Sequence, residues 1–258
     1  RNPIPMVNGD TNKKMGIKNR KGIFFTLIVI AAISLFLISY TFYSNYGERG
    51  KTHDRINTLN TFIFSIEENL ERQIFISGFR SLFVMQTESI EQGAYIQNAT
   101  YSLNELFFNG SYNNVEQPIM IGATFSDIQD EIQQKANKVN AYITLNNPSI
   151  SLTQSDPWNI DIIFNVNLDA QDQGRLVTWN KTQSYISKIP IKDFEDPLYL
   201  LSTGGTVTNR IEKTPFANFS NGSSLTNLNS HITNRYYKSN SQAPSYLNRL
   251  QGSNAASE

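Results

Sequence analysis

Only two histidines, His53 and His231, stand in this 258-residue chain, and it contains no cysteine. They have no His-x-His or His-x-x-x-His spacing and no thiolate beside them, so a zinc site of the usual nitrogen and sulfur type lacks its ligands. A Ser-His-Asp triad would need one of the two as its base, and no Gly-x-Ser-x-Gly elbow is present to hold a nucleophile. Ser202-Thr203-Gly204-Gly205-Thr206 is rich in glycine but lacks the Lys and following helix of a phosphate-binding loop, and it reads as a turn. Carboxylates crowd twice, at Asp169 and Asp172 with Gly174, and at Asp193, Glu195 and Asp196 before Pro197. Such oxygens suit Ca²⁺, but neither group has the spacing of the twelve-residue calcium loop, and solvated turn charges are the plainer reading. The expectation is therefore no catalytic residue, no metal site, no cofactor and no enzyme.

Modification chemistry is better represented. Asn-x-Ser/Thr sequons begin at Asn98, Asn109, Asn180, Asn218 and Asn221, each an acceptor for N-linked sugar if that part of the chain is exported, as in a glycoprotein. The 22 basic and 22 acidic residues cancel, so no overall field draws the chain to nucleic acid. The absence of cysteine excludes disulfides but not export, because a domain of this size buries enough core to do without them.

The elements that must carry these residues begin with Ile23–Tyr43, 21 residues without a charge. As a helix the run spans about 31 Å, the thickness of a bilayer's hydrocarbon core. Lys13, Lys14, Lys18, Arg20 and Lys21 precede it, which predicts a cytoplasmic N-terminus, a single pass, and the bulk of the chain outside the cell membrane. A cleaved signal has a shorter apolar core ending in small residues; here the Ala31-Ala32 pair is central and the exit is aromatic, through Tyr40, Phe42, Tyr43 and Tyr46. A core helix of a soluble protein rarely runs so far without a charge. Met15–Lys21 reads as a basic leader, and Arg20 stands where N-myristoylation after Met15-Gly16 would require Ser or Thr. The ends at Arg1 and Glu258 suggest a piece of a longer chain.

Beyond a glycine joint at Gly47 and Gly50, apolar positions recur at steps of three and four from Ile56 through Leu59, Ile63, Ile66, Leu70, Ile74, Gly78 and Leu82 to Met85. That is a helical period, with Asp54 as its N-cap and Glu68 paired to Arg72. Phe62, Phe64, Phe75, Phe79 and Phe83 widen its apolar surface. Glu91–Gly122 reads as irregular, and a short helix follows, capped by Ser126 with Gln129 and apolar at Ile128, Ile132, Ala136 and Val139. The period then changes to two: Trp158, Ile160, Ile162, Phe164, Val166 and Leu168 alternate with polar neighbours. Asp169–Gly174 turns the chain into a partner strand over Arg175–Ile189, and Ile150 and Leu152 predict a third strand. The expected fold is α+β: leader 1–22, transmembrane helix 23–43, amphipathic stalk helix 44–90, α+β head with an antiparallel sheet 91–216, and a polar Asn/Ser-rich tail 217–258, whose stretch from Ala217 to Ser245 reads as loop or disorder, with Tyr236 and Tyr237 able to anchor a short strand.

Lys18-Asn19-Arg20-Lys21-Gly22-Ile23-Phe24-Phe25-Thr26-Leu27-Ile28-Val29 resembles the leader and first helical turns of type IV pilin-like precursors. The resemblance implies peptidase cleavage between Gly22 and Ile23, and self-assembly through the exposed N-terminal helix. It also implies a long helix lying on an antiparallel sheet. Leu27 occupies the fifth mature position, where bacterial pilins carry Glu, and the paired cysteines of many of them are absent. Both departures are closer to archaeal pilin-like surface proteins. The expected partners are the lipid bilayer, through Ile23–Tyr43, and other copies of the chain. The expected function is a pilin-like structural or adhesion subunit at the cell surface. The alternative is an extracytoplasmic ligand-binding or sensing domain on one anchor, and a membrane-anchored hydrolase comes last for want of any supporting constellation.

Overall fold

The computed structural model describes residues 20–175, 177–219, 222 and 224–256, with the backbone alone for 20–23 and 44–52. The chain forms two compact units, Arg1–Asp54 and Arg55–Glu258. Helix α1 (Arg20–Gln92) belongs to both. Asp54 lies inside it rather than at its start, as do Gly47 and Gly50. An interior glycine costs a helix only about 1 kcal/mol, so its apolar and charged neighbours carry the helix past both.

In the first unit, Phe24–Tyr43 is a 20-residue helical stretch of mean hydropathy 2.3, none of it buried by protein. It is long and apolar enough to span a membrane, and a signal sequence would meet the same measure. Two of its hydroxyls are turned inward to the backbone: Ser34 donates to the Ile30 carbonyl (2.8 Å) and Thr41 to that of Leu37 (2.5 Å). Bonding to the carbonyl four residues back removes the need for water.

The second unit combines helices with a three-stranded antiparallel sheet. Its part of α1 buries Leu59, Ile63, Ile66, Leu70, Ile74, Leu82 and Met85, each 5% exposed or less. Ile56, expected to open that stripe, stays 39% exposed. Arg72 donates to Asn69 Oδ1 (2.8 Å) in place of the expected ion pair with Glu68. After α1 come α2 (Ala99–Asn109), the small hairpin β1 (Ser111–Tyr112) and β2 (Val115–Glu116), a 3₁₀ turn at Pro118–Met120, and α3 (Phe125–Lys138). Helix α2 corrects the irregular reading of Glu91–Gly122. Asn98 accepts from the Tyr101 N–H (2.9 Å) as its N-cap, and Gly110 closes it at φ 67°. As caps, these two residues start and stop a helix. The cap of α3 is Thr124, not Ser126. Thr124 Oγ1 accepts from the Asp127 N–H (3.3 Å), and Asp127 Oδ2 accepts from the N–H groups of Thr124 (3.1 Å) and Gly122 (3.0 Å). The hydrogen bonds from Thr124 hold the Asp127 carboxyl below its ordinary range.

The sheet order is β3 (Ala141–Asp156), β4 (Asn159–Asp172), β5 (Thr178–Pro190). Ile160, Ile162, Phe164, Val166, Leu168 and Ala170 of β4 all point inward, so the strand outruns the expected turn at Asp169 by three residues. In β3 a bulge sits between Asn146 and Ser149, with Asn147 at φ 50°. The extra residue moves the inward set from Ala141, Ile143 and Leu145 to Ile150 and Leu152. Aromatic rings join helices to sheet: Phe107 meets Phe164 at 5.4 Å and Phe125 at 6.0 Å between centroids.

The segment after the sheet folds more fully than its polar composition predicts. Helix α4 (Pro197–Ser202) starts on an Asp196 cap, α5 (Thr226–Asn234) lies on the surface with no buried residue, and α6 (Tyr246–Leu250) buries Tyr246, Leu247 and Leu250. Tyr237 joins an isolated bridge to Lys213 rather than a strand. Three apolar residues in five suffice to seat α6, although the polar stretch around it reads as loop.

Candidate functional site

The polar centre with the most partners is Asp196, a carboxylate only 1% exposed. Its Oδ1 accepts from the Leu198 N–H (3.0 Å), capping α4; its Oδ2 accepts from Tyr237 Oη (2.7 Å) and from the Arg249 guanidinium. Asn209 Nδ2 donates to the same phenol oxygen (2.6 Å), and the Arg249 guanidinium lies over the Tyr237 ring at 5.5 Å. Three chain segments meet on one carboxylate, a fourth reaches it through the phenol, and the carboxylate oxygens are occupied by donors. The arrangement suits holding α6 in place rather than taking a proton from a substrate.

Three phenols, Tyr185 and Tyr246 buried and Tyr237 partly so, give the unit a defined response to alkali. Burial is the largest cause pushing the Tyr185, Tyr237 and Tyr246 hydroxyls well above their ordinary value of 10.0; the neighbouring carboxylates Glu67 and Glu71 add to it at Tyr185, and Asp196 at Tyr237. A group whose folded pKa is raised contributes stability that is fully present below its unfolded pKa and lost as pH rises through the folded one. Thermal scans between pH 9 and pH 12 should therefore show the melting temperature falling once pH passes about 10. Tyr246→Phe should flatten that fall, and an unchanged profile would count against the buried phenols as its source.

The other candidate groups fall apart spatially or are already paired. Asp169 faces the wet side of the sheet and accepts from Asn146 (2.6 Å) and Asn180, whereas Asp172 points inward to Arg55 (2.7 Å) and the Gly174 N–H (2.9 Å). The two share a hairpin but not a face, so they form no joint cation site. Glu195 is engaged by Arg210 (3.0 Å), and Asp193 sits in a left-handed turn at φ 67°. Among the described residues no group of three His, Asp or Glu side chains is placed to hold a metal ion. His53 is exposed on α1, and the His231 ring lies edge-on to Phe219 at 4.9 Å. Ser202–Thr206 forms a turn, closed by Gly205 N–H donating to Leu200 (2.8 Å). Two shallow grooves lie on the surface of this unit. One, of about 410 Å³, is lined by Ser65, Glu68, Asn69, Arg72 and Lys135; the other, of about 300 Å³, lies by Arg55, Lys138 and Asp172.

Of the sequons, Asn98, Asn109, Asn180 and Asn218 are exposed, while Asn221 lies outside the described residues. Asn180 is held to Asp169, and Asn98 doubles as a helix cap. Gly22 and Ile23 stand in the first turn of α1, where only the backbone is described. Asp196 stands out in the sequence only as one of a carboxylate cluster, and no signal pointed to its partners at 209, 237 and 249. Comparison with known proteins finds no matching family model, no matching curated protein and no matching solved structure.

Proposed function

We propose that this chain is a single-pass surface protein, anchored by Phe24–Tyr43 with its N-terminus in the cytoplasm and its head outside, serving as a pilin-like structural or adhesion subunit. One observation carries the reading. Twenty consecutive uncharged, mostly apolar residues have no protein cover, while residues after Arg55 close a core of their own. Apolar surface on that scale needs lipid or another chain as its solvent. The five basic residues from Lys13 to Lys21 favour retention of the leader on the cytoplasmic side. The helical segment between anchor and sheet serves as the stalk, and the wet sheet face, with the exposed sequon at Asn180, is the surface displayed.

Protease added to sealed cells should digest the head and leave a protected fragment containing Phe24–Tyr43. A head that survives until the cells are lysed would refute the topology. N-terminal sequencing of the mature protein should begin at Ile23 if pilin-type processing operates, and an intact leader on every molecule would leave the anchor but remove the pilin assignment.

A further inference from the structure

The two edges of the sheet differ. The outer edge of β3 is covered by helix side chains: Ile143 N–H donates to Gln133 Oε1 (3.1 Å), and Asn104 Nδ2 donates to the Ile150 carbonyl (3.0 Å). The edge of β5 is open. Asp172 N–H bonds the Val177 carbonyl (3.0 Å) and Ile191 N–H bonds that of Trp158 (3.0 Å), so the odd-numbered residues of β5 face β4. By the same alternation Thr178, Asn180, Thr182, Ser184, Ile186 and Lys188 turn their N–H and C=O groups outward. None of those backbone groups has a partner among the described residues. The strand keeps register with β4 over all 13 residues, without the bulge that blunts many edges, and its one proline, Pro190, comes last. Lys181, which could guard the edge, is tied to Glu67 on α1 (2.7 Å).

We propose that this edge pairs antiparallel with β5 of a second copy, joining two heads that are tethered at opposite ends. A two-fold axis at Gln183 sets Thr178 opposite the partner's Lys188, Asn180 opposite the partner's Ile186, and Thr182 opposite the partner's Ser184. All six open residues are used, Pro190 is left outside, and no like charges oppose each other. Helix α1 supplies the argument for a second copy rather than an unrelated strand. It touches β5 through Glu67 with Lys181 and through the Glu71 carbonyl with Ser187 Oγ (2.9 Å), so the axis at Gln183 falls near residues 67–71 of α1. Phe64 and Phe75 lie on that same side of α1, 67% and 37% exposed, almost evenly about that level. The two-fold therefore brings Phe64 of each copy level with the partner's Phe75, and exposed rings cover one another. Arg55, where the chain enters this unit, bonds Asp172 beside the start of β5, so the two entry points of the pair lie at opposite ends. On the membrane-anchored reading above, such a pair links facing membranes.

The chain lacks cysteine, so single substitutions report directly. Gln183 faces its own counterpart at a position where paired Cα atoms come within about 4.5 Å, close enough for a disulfide. Full-length Gln183→Cys chains carrying two different tags are reconstituted in separate liposomes, mixed and oxidised, with vesicle flotation confirming the anchor. The expected result is a dimer containing both tags, with none from Thr144→Cys on the covered side of the sheet. Adding Ser184→Pro should abolish it while leaving the melting curve of the monomer in place, because that N–H makes no bond within the chain. No dimer in liposomes or in detergent would overturn the edge pairing, as would equal crosslinking from Thr144→Cys. A dimer in detergent alone would overturn the facing arrangement, and failure of the vesicles to float would count against the anchor instead.

Discussion

Replacing Gly78 by Val is expected to unfold the head or to cost it about 3 kcal/mol or more, the upper range for an overpacked core. A Cβ at this position would stand 2.7 Å from Ile162 Cγ1 and 2.7 Å from Ile189 Cδ1, closer than carbon atoms approach without displacement. Both isoleucines are fully buried, so the sheet has no free volume to receive the new group. Gly78→Ala isolates the effect. Alanine gains about 1 kcal/mol of helix propensity, yet a net loss of about 1–2 kcal/mol is expected because the contact outweighs it. Ile189→Val removes the Cδ1 in question and should recover part of the Gly78→Ala loss in a double-mutant cycle followed by urea unfolding. Additive losses would show that the helix and sheet do not meet here.

The second large effect is expected from Arg249→Met. Asp196 and Arg249 are 1% and 12% exposed at the side chain, and removing the guanidinium leaves a buried carboxylate with only the Tyr237 hydroxyl and a backbone N–H to compensate it. Losing one partner of a buried ion pair costs about 3–5 kcal/mol. Since Arg249 lies on α6, the loss should release that helix before the rest of the head, visible as fast amide exchange across Tyr246–Leu250. Asp196→Asn combined with Arg249→Met removes both charges and should cost less than Arg249→Met alone. A double variant as unstable as the sum of its parts would argue that the pair is not coupled.

Period and composition made the sheet and the helix over it legible. Strict alternation from Trp158 to Leu168 marks β4 because one face is buried and the other wet, and steps of three and four mark the buried side of α1. Other elements were hidden for specific reasons. Asn98 and Gly110 lie in a stretch that reads as irregular and are the two caps of α2. The extra residue in β3 breaks its alternation midway, so only Ile150 and Leu152 declared themselves. The Asp196 centre joins positions 41 and 53 residues apart, and nothing local at Tyr237 or Arg249 marks them as partners. The carboxylates at 169 and 172 were visible as a cluster, but an offset of three along a strand sends them to opposite faces. Which strand would end the sheet was likewise beyond local pattern, because pairing order is a tertiary outcome.

The place of α6 in the chain sets a schedule for biosynthesis. Tyr246, Leu247 and Leu250 complete a core whose other walls, from Leu59 onward, are made well before them. A nascent chain emerging N-terminus first leaves that vacancy open until the ribosome has released residue 250, and apolar surface around Phe194 and Ile96 waits exposed in the meantime. Holding chaperones would find their target in that interval, and a chain stopped before Tyr246 would never lock shut.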